Sequence, residues 1–435
     1  MKKKALHIII LLLFIIFYVV VRKPYYSTRL KGEEGNYADI IINQPLGPNY
    51  LQIGRVDGRE IYTKPQHPAL SYETIALAGR AAETVINFSE LSEYKTTVLL
   101  RALFSGFQLL VWGLIWYAVV VFDYFQNKTY LFFMIGLLSL SPIALESSPH
   151  LQVDNSVGAL FVGFFCFSLL ASVFIKNRSV KYPILFLSAA VIGFGKNEWG
   201  IILFVSLLAS IIFAKLFDIK FQTETIILIL AGLAAGTVIN IIFDNINYFA
   251  GLRLITATLK IDAAGSTLTP YIFMQSWVQK NMEKLPYLST IVILLFVNII
   301  KATHQFKKLF FEQVILLFFS LLLYLAFSAT NRAGSSRYFV PAFFASIFTY
   351  ILLTPNQKKT SVQIIFLHTI LFIIIYFKPT IKPYKQIDVE PNAGCLMDIG
   401  TARGFFNEEV DYVTWSLGIV GQENFAEEYG VELCE

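Results

Sequence analysis

Five short stretches of this chain set ionisable and aromatic side chains between long apolar runs. They hold Glu33, Glu34, Tyr37 and Asp39; Lys64 and His67 in "YTKPQHPALSYE"; His150 and Asp154 in "ESSPHLQVDN"; Lys196 in "GKNEWG"; and Arg332, Arg337 and Tyr338 in "SATNRAGSSRYFVP". Carboxylates take a proton from a hydroxyl or hold a metal, and Lys or Arg neutralises a phosphate as it leaves. The stretches 146–155 and 195–200 are short connectors, so their charges lie at or beneath lipid headgroups. An ionised group there is costly and usually marks a site.

The elements that must position these residues are apolar. The chain has 435 residues, of which 56% are hydrophobic and 15% charged, where a soluble domain carries about 25% charged residues. The fold class is an all-α polytopic membrane protein. Runs long enough to cross about 30 Å of hydrocarbon give roughly eleven spans: 5–22, 97–122, 129–146, 156–175, 181–195, 199–218, 223–243, 286–301, 309–328, 338–354 and 361–377. The first run follows "MKKK" and ends in "YVVVRKPYY" without a pair of small residues for a signal peptidase, so it reads as a retained anchor.

Net charge is +5, with the basic residues concentrated in connectors: "KNRSVK", Lys215 and Lys220, "KATHQFKK", and Lys358 with Lys359. That is the positive-inside pattern. It accounts for the charge without a nucleic-acid partner and puts the N terminus in the cytoplasm. The tail from Lys378 onward, and all five polar stretches, then face outward.

Three outward segments exceed simple turns: 23–96, 244–285 and the tail at 378–435. In the first, "SYETIALAGRAAETVINFSELSEY" has apolar residues at helical spacing. This predicts one or two helices, lying either along the outer membrane face or in the core of a small external cap. The chain thus divides into a membrane module, 1–377, and a small appendage, 378–435. From residue 386 to 435 the appendage is acidic, with Asp388, Glu390, Asp398, Glu408, Glu409, Asp411, Glu423, Glu427, Glu428, Glu432 and Glu435 against Arg403. Cys166 falls inside a span as packing. Cys395 and Cys434 share the outer side, where disulfides persist, and their pairing stays open. No phosphate-binding GxxxxGK[ST] loop supports a nucleotide cofactor, and no cysteine spacing suggests structural zinc.

"GEEGNYAD" at 32–39 resembles the "DE-x-x-Y-A-E" signature of the first external loop of GT-C glycosyltransferases, especially the aminoarabinose transferases and the protein O-mannosyltransferase-like group. Glu33 falls on the family's Asp and Glu34 on its Glu. "YTKPQHPALSYE" is similar to "KPPL-x-Y-W" or "HPPL-Y", with Lys64-Pro65 or His67-Pro68 in the equivalent place. "LQVDNSV" puts Asp154 on a second carboxylate, "GKNEWGIIL" resembles "TKGPVGLLL", and "RYFVPAFFA" resembles "RY-x-L-P". The matches run in the family's order.

The resemblance implies a GT-C-like bundle moving a sugar from a polyprenyl-phosphate donor to a lipid, glycan or protein acceptor. Transfer would take place at the outer face of the cytoplasmic membrane, with inversion. Glu33 or Glu34 would be the base, and Asp154 would stabilise the oxocarbenium-like transition state, orient the acceptor or bind a metal. Lys64 or His67, Lys196, Arg332, Arg337 and Tyr338 would hold the donor phosphate, and Tyr37 and Asp39 the substrate. Glu34, Asp154 and His150 would be the ligands of a divalent Mg, Mn or Zn ion. Glu33, one methylene longer than Asp, leaves the choice of base open between it and Glu34.

Plainer readings stand beside these. Tyr37 and Tyr338 suit an interfacial aromatic belt, Lys196 and Arg337 suit snorkelling to headgroups, and Glu198 suits neutralising Lys196. The rival functions are a transporter or flippase of a lipid-linked or anionic substrate and a polysaccharide polymerase or ligase. The first calls for matched halves and charges near the midplane, whereas here the charges gather at one face.

Overall fold

The computed structural model describes residues 2–26, 37, 41, 52–56, 59–62, 69–88, 91, 93–122, 128–244, 288–304, 308–328, 336–353, 395–396 and 432–433. Apart from one hairpin, the regular elements described between residues 2 and 353 are helical. The helices are α1 (Lys2–Tyr26), α2 (Ala69–Glu83), α3 (Glu93–Val121), α4 (Lys128–Leu138), α5 (Pro142–Ser147), α6 (Val157–Phe174), α7 (Arg178–Gly195), α8 (Asn197–Leu216), α9 (Thr223–Asp244), α10 (Leu288–His304), α11 (Phe311–Ser328) and α12 (Val340–Leu352). A 3-10 turn, Ser336–Phe339, leads into the last.

Among the described residues five helices are long and apolar enough to cross a membrane: Lys95–Val121, Val157–Phe174, Glu198–Leu216, Thr223–Ile242 and Phe311–Ser328. Leu288–His304 and Val340–Leu352 are shorter apolar helices. Exposed side chains complete the case for a membrane protein. α1 leaves Ile8, Ile9, Leu12, Leu13 and Ile16 uncovered, α8 leaves Ile201, Phe204 and Leu208, and α9 leaves Ile227 and Ile242. Water would not tolerate such continuous apolar faces, whereas hydrocarbon requires them.

The core is built on α12, all of whose residues are buried. Phe343 and Phe344 set their rings edge-on to Trp112 of α3, at 6.1 and 5.1 Å between centroids. Phe165 of α6 meets Phe319 of α11 in the same manner at 5.5 Å. α7 and α9 pack through small residues: a Cβ on Gly236 would lie 2.1 Å from the carbonyl oxygen of Ala190. Only glycine lets the two backbones touch there, the usual device where apolar side chains gain nothing over lipid.

Helices lie at ten of the eleven positions expected for spans, five of them long and apolar enough to cross a membrane, with one change of form. The run at 129–146 is broken into α4 and α5, because Pro142 forces Ser141 to extended backbone (φ −59, ψ 145) and ends the first helix. The span expected at 361–377 lies outside the described residues. α2 confirms a helix in the long first loop, and the same loop carries an antiparallel hairpin. Gln52–Val56 pairs there with Arg59–Tyr62, with Arg55 opposite Glu60. In the tail, Cys395–Leu396 pairs in parallel with Glu432–Leu433. Cys434 lies outside the described residues, and Cys166 is a buried free thiol in α6.

Helices alternate in direction, so their ends sort into two layers. At one layer Lys181 donates to Gln222 (3.0 Å) and Arg178 pairs with Glu224 (3.7 Å). At the other, contacts of Arg22 with Ser148, Arg101 with Pro149, and Lys196 with Asp154, Phe327 and Tyr338 join the ends of α1, α5, α7 and α11 to the starts of α3, α6, α8 and α12. Each of the five chemistry-bearing stretches has a described side chain at or beside that second layer: Tyr37, Ser71, Asp154, Lys196 and Tyr338.

Candidate functional site

Lys196 is the single residue between α7 and α8, extended at φ −163 and ψ 133, where the chain turns from one helix into the next. Its side chain is 1% exposed. Placed as the N-cap of a 20-residue helix, this ammonium adds to the positive end of the α8 dipole. Two positive sources in one buried place call for an anion.

Asp154 supplies it. The Lys196 ammonium donates to Asp154 Oδ1, and the carboxylate side chain is itself only 4% exposed. Aromatic faces surround the ammonium, with ring centroids of Trp199 at 5.4 Å, Tyr338 at 5.7 Å and Phe327 at 6.0 Å. Tyr338 stacks on Phe327 at 5.9 Å. Taking two charges out of water costs several kcal/mol each, repaid only by close geometry, so such a pair is a poor way to gain stability. Buried at the end of a helical bundle, it is a candidate for a functional site.

A dense polar web holds Asp154 in place. Residues Leu151–Ser156 are all buried. The Asn155 amide donates to the carbonyls of Ser147 and, at 3.0 Å, His150. Gln108 of α3 donates to the carbonyl of Asn155 at 2.7 Å and to Ser147 Oγ at 3.3 Å. Ser156 Oγ donates to the carbonyl of Gln152, and the amide of Gly158 to that of Val153 at 2.7 Å. Gly158 must be glycine, since a Cβ would lie 2.2 Å from the Trp199 ring.

The first loop reaches the same place. Ser71 of α2 donates to the carbonyl of Gly195 at 2.7 Å, one residue before Lys196. Its neighbour Tyr72 stacks on Tyr37 at 6.2 Å, and Tyr37 meets Phe104 of α3 at the same separation. Both tyrosine rings are buried.

Of the residues expected from sequence, Asp154, Lys196 and Tyr338 come together, with Tyr37 packed nearby under α2. Tyr37 is enclosed by protein rather than set in an aromatic belt. Lys196 does not snorkel to headgroups, because its ammonium is buried. Its partner is Asp154 rather than Glu198, the neighbour from which neutralisation was expected. His150 is half-buried, with its carbonyl bound by Asn155. Glu33, Glu34, Asp39, Lys64, His67 and Arg332 lie outside the described residues, as does the side chain of Arg337.

Among the described residues no three His, Cys, Asp or Glu side chains gather as metal ligands. Asp154 already faces an ammonium, which a divalent ion would have to displace. Glu34, the third ligand expected for a metal, lies outside the described residues.

Sequence reasoning missed the supports: Arg22, Arg101, Gln108 and Trp199. Arg101 is 1% exposed, donates to the carbonyl of Pro149 at 3.0 Å, and lies with Gln108 inside an apolar span. Polar residues in that setting are themselves a signal of function.

No family model matches the chain, and no curated protein matches it. Solved structures do, and two of them are archaeal. The oligosaccharyltransferase of Archaeoglobus fulgidus in the apo form is similar with a TM-score of 0.46 and 14% identity, over 100% of this chain and 60% of that one. The archaeal oligosaccharyltransferase AglB from the same organism, in complex with an inhibitory peptide and a dolichol-phosphate, is similar with a TM-score of 0.44 and 12% identity. This chain again spans 60% of its length.

Proposed function

We propose that the chain is a membrane glycosyltransferase that moves a sugar from a polyprenyl-phosphate donor to an acceptor at the outer face of the cytoplasmic membrane. The observation that carries the reading is the buried Asp154–Lys196 pair, set at the helix ends where the first loop docks. The order of family-like motifs from residue 32 to about 341 supports it.

On this reading the donor phosphate takes the place of Asp154 as the partner of Lys196. An anion already balances the ammonium, so exchanging carboxylate for phosphate moves charge without leaving a buried cation bare. The freed Asp154 then lies beside the reacting sugar, able to stabilise positive charge at the anomeric carbon or to orient the acceptor hydroxyl. Glu33 or Glu34 takes that hydroxyl's proton as its oxygen attacks opposite the phosphate, and the configuration inverts. The phosphate leaves with the electron pair of the broken bond, against Lys196 in a site poor in water, where a placed cation counts for most.

The test is mass spectrometry of membrane lipids and glycans after deletion of the gene. Accumulation of one polyprenyl-phosphate sugar with loss of one glycan is the expected result. An unchanged profile in both would contradict it.

A further inference from the structure

Arg22 is wholly buried near the end of α1, yet among the described residues no carboxylate meets it. Its guanidinium is solvated by other groups. Nε donates to Ser148 Oγ at 2.7 Å, one terminal nitrogen donates to the carbonyls of Ser139 (2.7 Å) and Ala144 (3.3 Å), and the other donates to the carbonyl of Tyr18 at 3.4 Å. The Tyr18 ring lies 3.5 Å from the guanidinium carbon. An unpaired buried cation is expensive, and it persists where fixed dipoles replace water and something is gained by holding them.

What it holds is the corner at Pro142. Breaking the expected span into α4 and α5 leaves backbone carbonyls without helical partners, and in a membrane each must be satisfied. Arg22 reaches acceptors before α5 (Ser139), within it (Ala144) and after it (Ser148). Ser147, at the end of α5, is in turn bound through its carbonyl by Asn155, the residue next to Asp154. One set of bonds therefore runs from Arg22 through α5 to Asn155, the residue that follows Asp154 in the chain.

We propose that Arg22 is a positioning residue for Asp154, its forked guanidinium fixing the 139–148 corner so that Asp154 is aimed at Lys196. This rests on the reading of the Asp154–Lys196 pair given above. It calls for an arginine in particular: lysine keeps the charge but is a point donor that does not span three acceptors. Charge alone would be preserved in Arg22→Lys, whereas geometry would be lost.

The experiment is hydrogen–deuterium exchange on the full-length protein in lipid nanodiscs, with the lipid and glycan profile of cells carrying each variant measured alongside. In Arg22→Lys the protected amides of 139–158, which include Leu145, His150 and Gly158, exchange about tenfold faster or more, while those of α9 stay as in the parent. Ser148→Ala, which removes one acceptor and leaves the cation in place, gives a smaller rise in the same segment and guards against a variant that fails to fold. Unchanged exchange at 139–158 in both variants, or an equal rise across α9, overturns the proposal. Segment loosening together with a donor build-up like that of Asp154→Asn upholds it. Loosening with an unaltered profile in both Arg22→Lys and Asp154→Asn upholds the positioning role and sinks the transferase reading instead.

Discussion

Lys196 and Asp154, 42 residues apart in sequence, form an ion pair in which both side chains are almost fully withdrawn from solvent. The lysine comes from a one-residue break between two helices, and the aspartate from a buried turn ahead of a third. Neither helix end alone would hold an isolated charge at that depth, so each residue is the condition for the other.

Removing one partner therefore costs more than removing both. Asp154→Asn leaves the Lys196 ammonium buried without its anion and should destabilise the protein by about 3 kcal/mol or more. The double change Asp154→Asn with Lys196→Gln should recover over half of that loss. Chemical denaturation of the purified protein in mild detergent checks this. Additive losses would show that the two side chains act independently.

Gly158→Ala tests the contact beneath the site. The added methyl meets the Trp199 ring and forces it against Lys196, so a loss of about 1 to 3 kcal/mol is expected. Adding Trp199→Phe should relieve much of it. Thermal unfolding of the single and double variants gives the comparison, and no relief in the double variant would place the strain elsewhere.

The docking of the first loop should rest measurably on one hydroxyl. Ser71→Ala deletes the bond to the carbonyl of Gly195 and should cost about 1 kcal/mol. Limited proteolysis should also show faster cleavage within residues 27–68. A cleavage rate equal to that of the parent would mean that the loop is held by other contacts.

Much of this arrangement is legible in the sequence, and the reasons differ by residue. Apolar run length fixes the helices, because hydrocarbon admits few alternatives. Alternation of their direction puts the connectors before α6, α8 and α12 at one level, which is why Asp154, Lys196 and Tyr338 are found together. The partner of Lys196 is less legible: Glu198 is nearer in the chain, but Lys196 sits on extended backbone ahead of the helix that carries Glu198, and its ion pair is with Asp154. Arg22 is less legible still. At the end of an apolar run it reads as a flanking charge, and its burial depends on a corner made by Pro142, far along the chain. Gln108 and Arg101 could have been found, as polar side chains within an expected span.

The most direct test of the central claim is thermal stabilisation of the purified protein by a polyprenyl phosphate, with undecaprenyl phosphate as the probe. A ligand bound only by the folded state raises the unfolding temperature in a concentration-dependent way. If Lys196 receives the donor phosphate, the parent protein is stabilised and the Asp154→Asn, Lys196→Gln double variant is not. Equal stabilisation of the two proteins, or none in either, would contradict the account.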